Sequence, residues 1–390
     1  MFDNHLVREF QKKETPFYYY DLALLENTIQ TAKREAGKYD FHIHYALKAN
    51  FNERVLKAIC AVGFGADCVS GNEVLKAVEV GFDANKIVFA GVGKSDKEII
   101  TALENDIFAF NVESVQELGV INELAKSLNK KARVALRINP NVDAQTHHYI
   151  TTGLEENKFG IKIWELDNCI DSLKSFDNVE LIGVHFHVGS QITDLSVFKS
   201  LCIKVNEINS WFEEHGHYLK VLNVGGGLGV DYHHPDENSI PDFKAYFDVF
   251  NQFLERKKDQ EVHFELGRAL VAQCGSLISK VLYVKTGLKK NFLVLDAGMT
   301  ELMRPALYQA YHKIEKLETG DSPKEESLAV NYDIVGPICE STDCFAKEAV
   351  LPETKRNDLL AIRTAGAYGE VMASRYNLRE EIRYVYSGEV

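Results

Sequence analysis

Lys48 follows an apolar run, Phe41-His42-Ile43-His44-Tyr45-Ala46-Leu47, and shares parity with Ala46. Side chains alternate along a strand, so an inward Ala46 implies an inward Lys48 amine. A buried amine is costly unless it is paired or covalently bound. Downstream, Gly225-Gly226-Gly227-Leu228-Gly229 follows the short apolar run Val221–Val224. Consecutive glycines let backbone N–H groups approach a phosphate closely. The run fails the dinucleotide pattern G-x-G-x-x-G, because Val230 stands in place of the third glycine. Taken singly, Lys48 reads first as an ordinary surface lysine, whereas the glycines favour phosphate binding over a plain tight turn. Together they suggest pyridoxal phosphate held as a Schiff base. Glu265 would then pair with the pyridinium nitrogen; its simpler reading is an ion pair with Arg268. His185 and His187 are two apart and share a face if both lie on one strand. They suit a metal pair, or a core histidine plus a ring stacked on a cofactor. No acidic cluster with ligand spacing accompanies them, so no metal is expected.

These residues need a scaffold that gathers strand ends. Between about Phe41 and Arg268, β-rich runs alternate with helical patterns in about eight strand–helix units. The runs begin at Phe41, Gly65, Ile87, Phe108, Arg133, Leu181, Val221 and Val262. That count predicts a TIM-like (β/α)8 barrel, with an open doubly wound sheet as the alternative. In such a barrel the active site lies at the C-terminal strand ends, where Lys48, Asp67, Arg137, His185, Gly225 and Glu265 all fall. A glycine loop after strand seven and Gly267-Arg268 after strand eight fit the barrel phosphate site. After Arg268 the texture becomes β-like, which predicts a second, mostly antiparallel β-domain. The fold class is therefore α/β, with a barrel over 27–268 and a β-domain over 1–26 plus 269–390. Pro16-Phe17-Tyr18-Tyr19-Tyr20 could supply that domain with a strand, and Glu315–Glu326 reads as a surface loop.

The 390 residues include 44 basic and 57 acidic side chains, a formal charge of −13. That argues against a nucleic-acid or anionic-membrane partner. No apolar stretch approaches the length of a membrane span. The opening Met1-Phe2-Asp3-Asn4-His5 lacks the charged and apolar regions of a signal peptide, so a cytoplasmic location is expected. Seven cysteines without a C-x-x-C pair support neither a zinc ribbon nor a disulfide scaffold.

Tyr45–Asn50 (YALKAN), His185–Gln191 (HFHVGSQ), Gly225–Gly227 and Glu265–Arg268 (ELGR) resemble the motifs of the alanine-racemase-fold pyridoxal-phosphate decarboxylases. Asp296–Met299, Arg304–Tyr308, Gly336–Ser341 and Ala365–Gly369 are similar to the diaminopimelate decarboxylase branch. The resemblance covers nearly the whole chain in order. It departs at Leu266, where the family usually has proline, and Glu370 is unexpectedly acidic. The resemblance implies that Lys48 holds the cofactor and His187 stacks on its ring. Ser190, Gly225, Gly226, Gly227, Gly267, Arg268 and Tyr368 would surround the phosphate, and Glu265 would meet the ring nitrogen. Arg268, Arg304, Tyr308, Glu340 and Tyr368 would bind substrate. Cys339 would donate the proton, with Cys339 and Glu340 arriving from the partner subunit of a homodimer.

The implied reaction is decarboxylation of meso-2,6-diaminopimelate to L-lysine and carbon dioxide. Substrates of ornithine, arginine or carboxynorspermidine decarboxylases lack a distal carboxylate and would leave Arg304 unsatisfied. Alanine racemases place arginine, not a carboxylate, against the ring nitrogen. A metal-dependent barrel hydrolase would rest on His185 and His187 alone. A non-catalytic regulator fits poorly with both Lys48 and Cys339 present.

Overall fold

The structure is a computed structural model that describes residues 2–140, 142, 158–319 and 328–390. It divides into two units. One comprises Ile29–Gly229 and Asp242–Arg268; the other comprises Met1–Thr28, Val230–Pro241 and Ala269–Val390. The sequence reading had kept 230–241 within the barrel. The structure groups this segment with the β unit.

The first unit is a closed barrel of eight parallel strands in sequential order. After β1 (Phe17–Tyr20), which belongs to the other unit, the staves are β2 (Phe41–Ala46), β3 (Gly65–Cys68), β4 (Ile87–Phe89) and β5 (Ala109–Val112). They continue as β6 (Ala132–Arg137), β7 (Val179–His185), β8 (Val221–Asn223) and β9 (Glu261–Leu266). Parallel pairing of β2 with β9, His44 opposite Glu265, closes the ring. The staves are almost wholly buried, as strands covered on both faces must be.

Helix starts are set by side chains that satisfy the first free N–H groups. Ser70 Oγ accepts from Glu73 N–H at the head of Gly71–Val80, and Ser114 Oγ does the same for Glu117 before Val115–Ser127. The helix Ser196–Glu214 buries Val197, Leu201, Val205, Ile208 and Phe212, a stripe at helical spacing.

Two strand ends differ from the sequence reading. β2 stops at Ala46, and Lys48 sits in the one-turn helix Leu47–Ala49. β7 stops at His185, so His187 belongs to the loop beyond and the two histidines do not share a strand face. Between β6 and β7, Val134 faces Leu181 but Ala135 faces Gly183, making Ile182 an extra residue. Such a bulge re-aims the side chains that follow it.

The second unit is an eight-stranded sheet. Its strands are β1, β10 (Gly275–Thr286), β11 (Asn291–Leu295), β12 (Ile314–Leu317), β13 (Ala329–Val335), β14 (Cys344–Pro352), β15 (Leu359–Ile362) and β16 (Arg383–Tyr386). Pairing is mostly antiparallel, with β1–β16 and β11–β13 parallel. Residues 315–317 of the expected loop form most of β12, and 320–326 lie outside the described residues. Glu370, unexplained by sequence, accepts a hydrogen bond from the Tyr20 hydroxyl within this unit.

Candidate active site

The C-terminal rim of the barrel gathers one polar side chain from nearly every stave. Lys48 Nζ donates to Asp67 Oδ2 at 2.8 Å, and Asp67 is fully buried while Lys48 is about a third exposed. Burial pushes Asp67 up to about 6; the Glu265 charge adds to the push and Lys48 opposes it.

Glu265 is the hub. Its Oε2 meets His185 Nε2 at 2.9 Å, and its Oε1 accepts from both Asn111 Nδ2 and Asn223 Nδ2 at 2.8 Å. Burial works against its charge, but His185 and then Lys48 hold the carboxyl well below the usual carboxylate range. Arg268 Nη2 meets Ser190 Oγ at 2.9 Å. Arg137 Nη1 reaches Glu113 Oε1 at 2.6 Å, whose other oxygen accepts from Gly160 N–H.

Gly225, Gly226 and Gly227 each lie close against a backbone carbonyl. A Cβ on Gly226 would lie 1.9 Å from Glu265 O, and one on Gly225 would lie 2.1 Å from Phe186 O. Gly225 also has a positive φ of 70°, which any side chain would strain. Gly226 N–H approaches His187 Nδ1 at 3.5 Å. His187 is pushed down to about 3 by burial, with the Arg137 and Lys48 charges adding to the effect. Gly267 joins β9 to the short helix Arg268–Val271.

This mouth fits pyridoxal phosphate. It offers a primary amine, an ionised buried carboxylate and an Arg–Ser pair beside a glycine loop. Three buried polar atoms around the hub, Asp67 Oδ1, Asn111 Oδ1 and His185 Nδ1, have no hydrogen-bond partner. Buried polar atoms are otherwise nearly always satisfied.

The other expected residues lie in the β unit. Arg304 and Tyr308 bracket the helix Arg304–Tyr308. Arg304 is buried, with Nη1 2.8 Å from His312 Nε2 and its guanidinium 5.0 Å from the Tyr232 ring centre. Cys339 and Glu340 are exposed on the turn after β13; Tyr376 Oη donates to Glu340 at 2.8 Å. Tyr368, partly buried, has a positive φ of 55° in the loop after β15.

Sequence reasoning missed Asn111, Asn223 and Asp343. The first two were legible in principle, as lone polar residues inside apolar runs. Asp343 accepts from Met299 N–H at 2.6 Å and Ile338 N–H at 2.7 Å. It thereby ties the Asp296–Met299 and Gly336–Ser341 motifs together. A Cβ on Gly336 would lie 2.4 Å from its carboxylate. Only the tertiary fold shows that connection.

Residues 22–272 match the family described as pyridoxal-dependent decarboxylase, pyridoxal binding domain. The chain is 56% identical over 375 residues to a diaminopimelate decarboxylase of Bacteroides thetaiotaomicron, covering 96% of each chain. It is 41% identical over 365 residues to that of Aquifex aeolicus, covering 94% of this chain and 84% of the relative. Among solved structures, the diaminopimelate decarboxylase from Helicobacter pylori complexed with L-lysine superposes with a TM-score of 0.90 at 41% identity. It covers 97% of this chain and 93% of that one.

Proposed function

We propose roles for these side chains from one premise: the chain belongs to the pyridoxal-dependent diaminopimelate decarboxylases. It decarboxylates meso-2,6-diaminopimelate to L-lysine and carbon dioxide, the last step of lysine biosynthesis, with pyridoxal phosphate as cofactor. When bound, the cofactor supplies an electron sink for the pair left on the substrate carbon. The observation that carries the assignment of roles is Glu265, a buried carboxylate kept ionised by His185, in the same mouth as the Lys48 amine.

Lys48 would hold the cofactor through its amine, which Asp67 orients. Glu265 would pair with the ring nitrogen and favour its protonated form. His187 would stack on the ring. Ser190, Gly225, Gly226, Gly227, Gly267, Arg268 and Tyr368 would bind the phosphate. Arg304 pairs with the distal carboxylate of the substrate, Glu340 with its distal ammonium, and Tyr308, Tyr368 and Arg268 complete the substrate contacts.

Cys339 gives the proton to the substrate carbon, and it comes from a second copy of the chain. Of the seven cysteines, all free, Cys339 is the one that is exposed rather than buried or half-buried, which supports a role outside its own packing. We place the enzyme in the cytoplasm, consistent with seven unpaired thiols. No described helix is long and apolar enough to cross a membrane.

The test is carbon dioxide release from diaminopimelate, ornithine, arginine and carboxynorspermidine. Diaminopimelate should be turned over far faster than the rest, and Arg304→Gln should raise KM for it. Equal or faster turnover of ornithine would overturn the distal-carboxylate role of Arg304.

A further inference from the structure

The N-terminal end of the barrel carries a second polar cluster that the decarboxylation does not use. His42 on β2 lies opposite His263 on β9, and Glu261 precedes His263 by two residues on the same strand face. One ligand atom from each of the three lies within 4.8 Å of the others.

We propose that His42, Glu261 and His263 bind a divalent transition-metal ion of the zinc type, clamping the first barrel strand to the last.

A proton count carries the argument. His44 Nδ1 faces the Lys86 carbonyl at 2.9 Å. A carbonyl only accepts, so the His44 proton sits on Nδ1 and its Nε2 is a lone pair. That Nε2 faces His263 Nδ1 at 2.7 Å, so His263 carries its proton on Nδ1. The neutral His263 ring then turns a second lone pair, on Nε2, towards Glu261 Oε2 at 3.0 Å. Two acceptors face one another across hydrogen-bond distance.

A cation resolves that conflict. An extra proton on His263 would do so too, as an imidazolium paired with the Glu261 carboxylate, but it would leave the His42 ring beside it unengaged. A metal ion needs no such charge on the ring and also engages His42. That ring lies 4.8 Å from the His263 ring, and the structure shows no hydrogen bond for it.

Two imidazoles and a carboxylate suit zinc, at about 2.0–2.2 Å from each ligand atom, with water in the fourth position. The second layer is present: His44 and the Lys86 carbonyl fix the His263 tautomer, as such partners do in metal sites. Gly65 makes room for it, since a Cβ there would lie 2.5 Å from His44 Nδ1. The ligands span the β2–β9 seam, the pairing that closes the barrel.

The test uses the holoenzyme, stripped with a chelator and then titrated with zinc or cobalt. One ion per chain should bind, with a visible cobalt band typical of tetrahedral coordination, and the melting temperature should rise with zinc. His42→Ala and Glu261→Gln, both at solvent-accessible positions, should each weaken binding at least tenfold while leaving decarboxylation unchanged. In the parent protein, zinc should protect His42 from acylation by diethyl pyrocarbonate, a readout independent of how the variants fold. Absence of stoichiometric binding, undiminished binding in both variants, or an unprotected His42 would each overturn the site.

Discussion

The barrel rim and the β unit hold their polar residues in opposite ways. At the rim, Glu265, Asp67, Asn111, Asn223 and His185 are buried, and each is fixed by a partner on another stave or, for Asp67, by Lys48 in the turn after β2. In the β unit, Cys339 and Glu340 are exposed on a turn, although the turn itself is pinned by the buried Asp343. The rim is arranged like a finished cofactor site, with its charges desolvated and oriented in advance. The turn presents its thiol and carboxylate outward from a rigid base, as a surface does that completes something else. That contrast underlies the proposal that the site is built from two chains.

The largest expected effects test this division directly. Lys48→Ala should abolish turnover and the pyridoxyl label left by borohydride reduction, because it removes the amine that forms the bond. Cys339→Ala should also be nearly inactive. Mixing the two and allowing random exchange makes about half the dimers hybrids, each with one intact site, so about a quarter of parental activity should return. Mass tags would confirm exchange. Confirmed exchange without recovery would place both residues in one chain, or remove Cys339 as the donor.

Glu265→Gln comes next and probes the rim alone. A neutral amide no longer favours a protonated ring nitrogen, so the rate should fall by on the order of a hundredfold, about 2.7 kcal/mol of barrier. Retained cofactor absorbance would separate this from loss of binding. A rate within about twofold of the parent would remove Glu265 from that role. Asn111→Ala deletes one of the two amide donors to Glu265 Oε1 and leaves Asn223 in place. A hydrogen bond to a charged group contributes about 1.5–3 kcal/mol, and the remaining donor should hold the loss to about tenfold in rate. No change in rate would mean that Asn223 alone suffices.

Much of the rim was legible because barrel strands repeat a simple rule. Apolar runs carry a polar residue at or near the C-terminal end: Arg137 and His185 end their strands, Asp67 and Glu265 stand one residue before the end, and Lys48 lies two residues beyond β2. The expected strand end failed at His187 because β7 stops at His185, and the apolar Phe186 and Val188 that follow continue the pattern of the strand without being part of it. Asn111 and Asn223 were passed over because an amide inside a strand carries no chemical signature until its partner is known. In the β unit the strands at Ile314–Leu317 and Arg383–Tyr386 were missed. Their mixed polarity, IEKL and RYVY, gives weak alternation. The assignment of 230–241 to the barrel failed because chain order suggests continuity, whereas Arg363, with Nη2 3.0 Å from Asp236 Oδ1, ties the segment to the β unit.

That segment provides the smallest effect and refines the comparison. Asp231 Oδ1 accepts from His234 N–H at 2.9 Å and His233 N–H at 2.8 Å, and Oδ2 accepts from Asn238 Nδ2 at 2.8 Å. The His234 N–H contact leads in pulling its carboxyl down to about 2, with slight burial opposing. The turn so formed carries Tyr232, whose ring lies under the Arg304 guanidinium. A depressed carboxyl stabilises the fold above its unfolded pKa, and that contribution fades as acid protonates it. Because Asp231 is partly solvated, Asp231→Ala should cost under about 1 kcal/mol at pH 7 after screening. The difference between parent and variant should stay constant down to about pH 5, be roughly halved near pH 3, be mostly lost by about pH 2 and vanish below that. Urea unfolding at those pH values measures it. A difference that did not shrink in acid would mean that the side chain acts by packing rather than by its charge. A raised KM for diaminopimelate in Asp231→Ala, with kcat unchanged, would show that the turn serves Arg304 and the far end of the substrate. An unchanged KM would confine Asp231 to holding the segment in place.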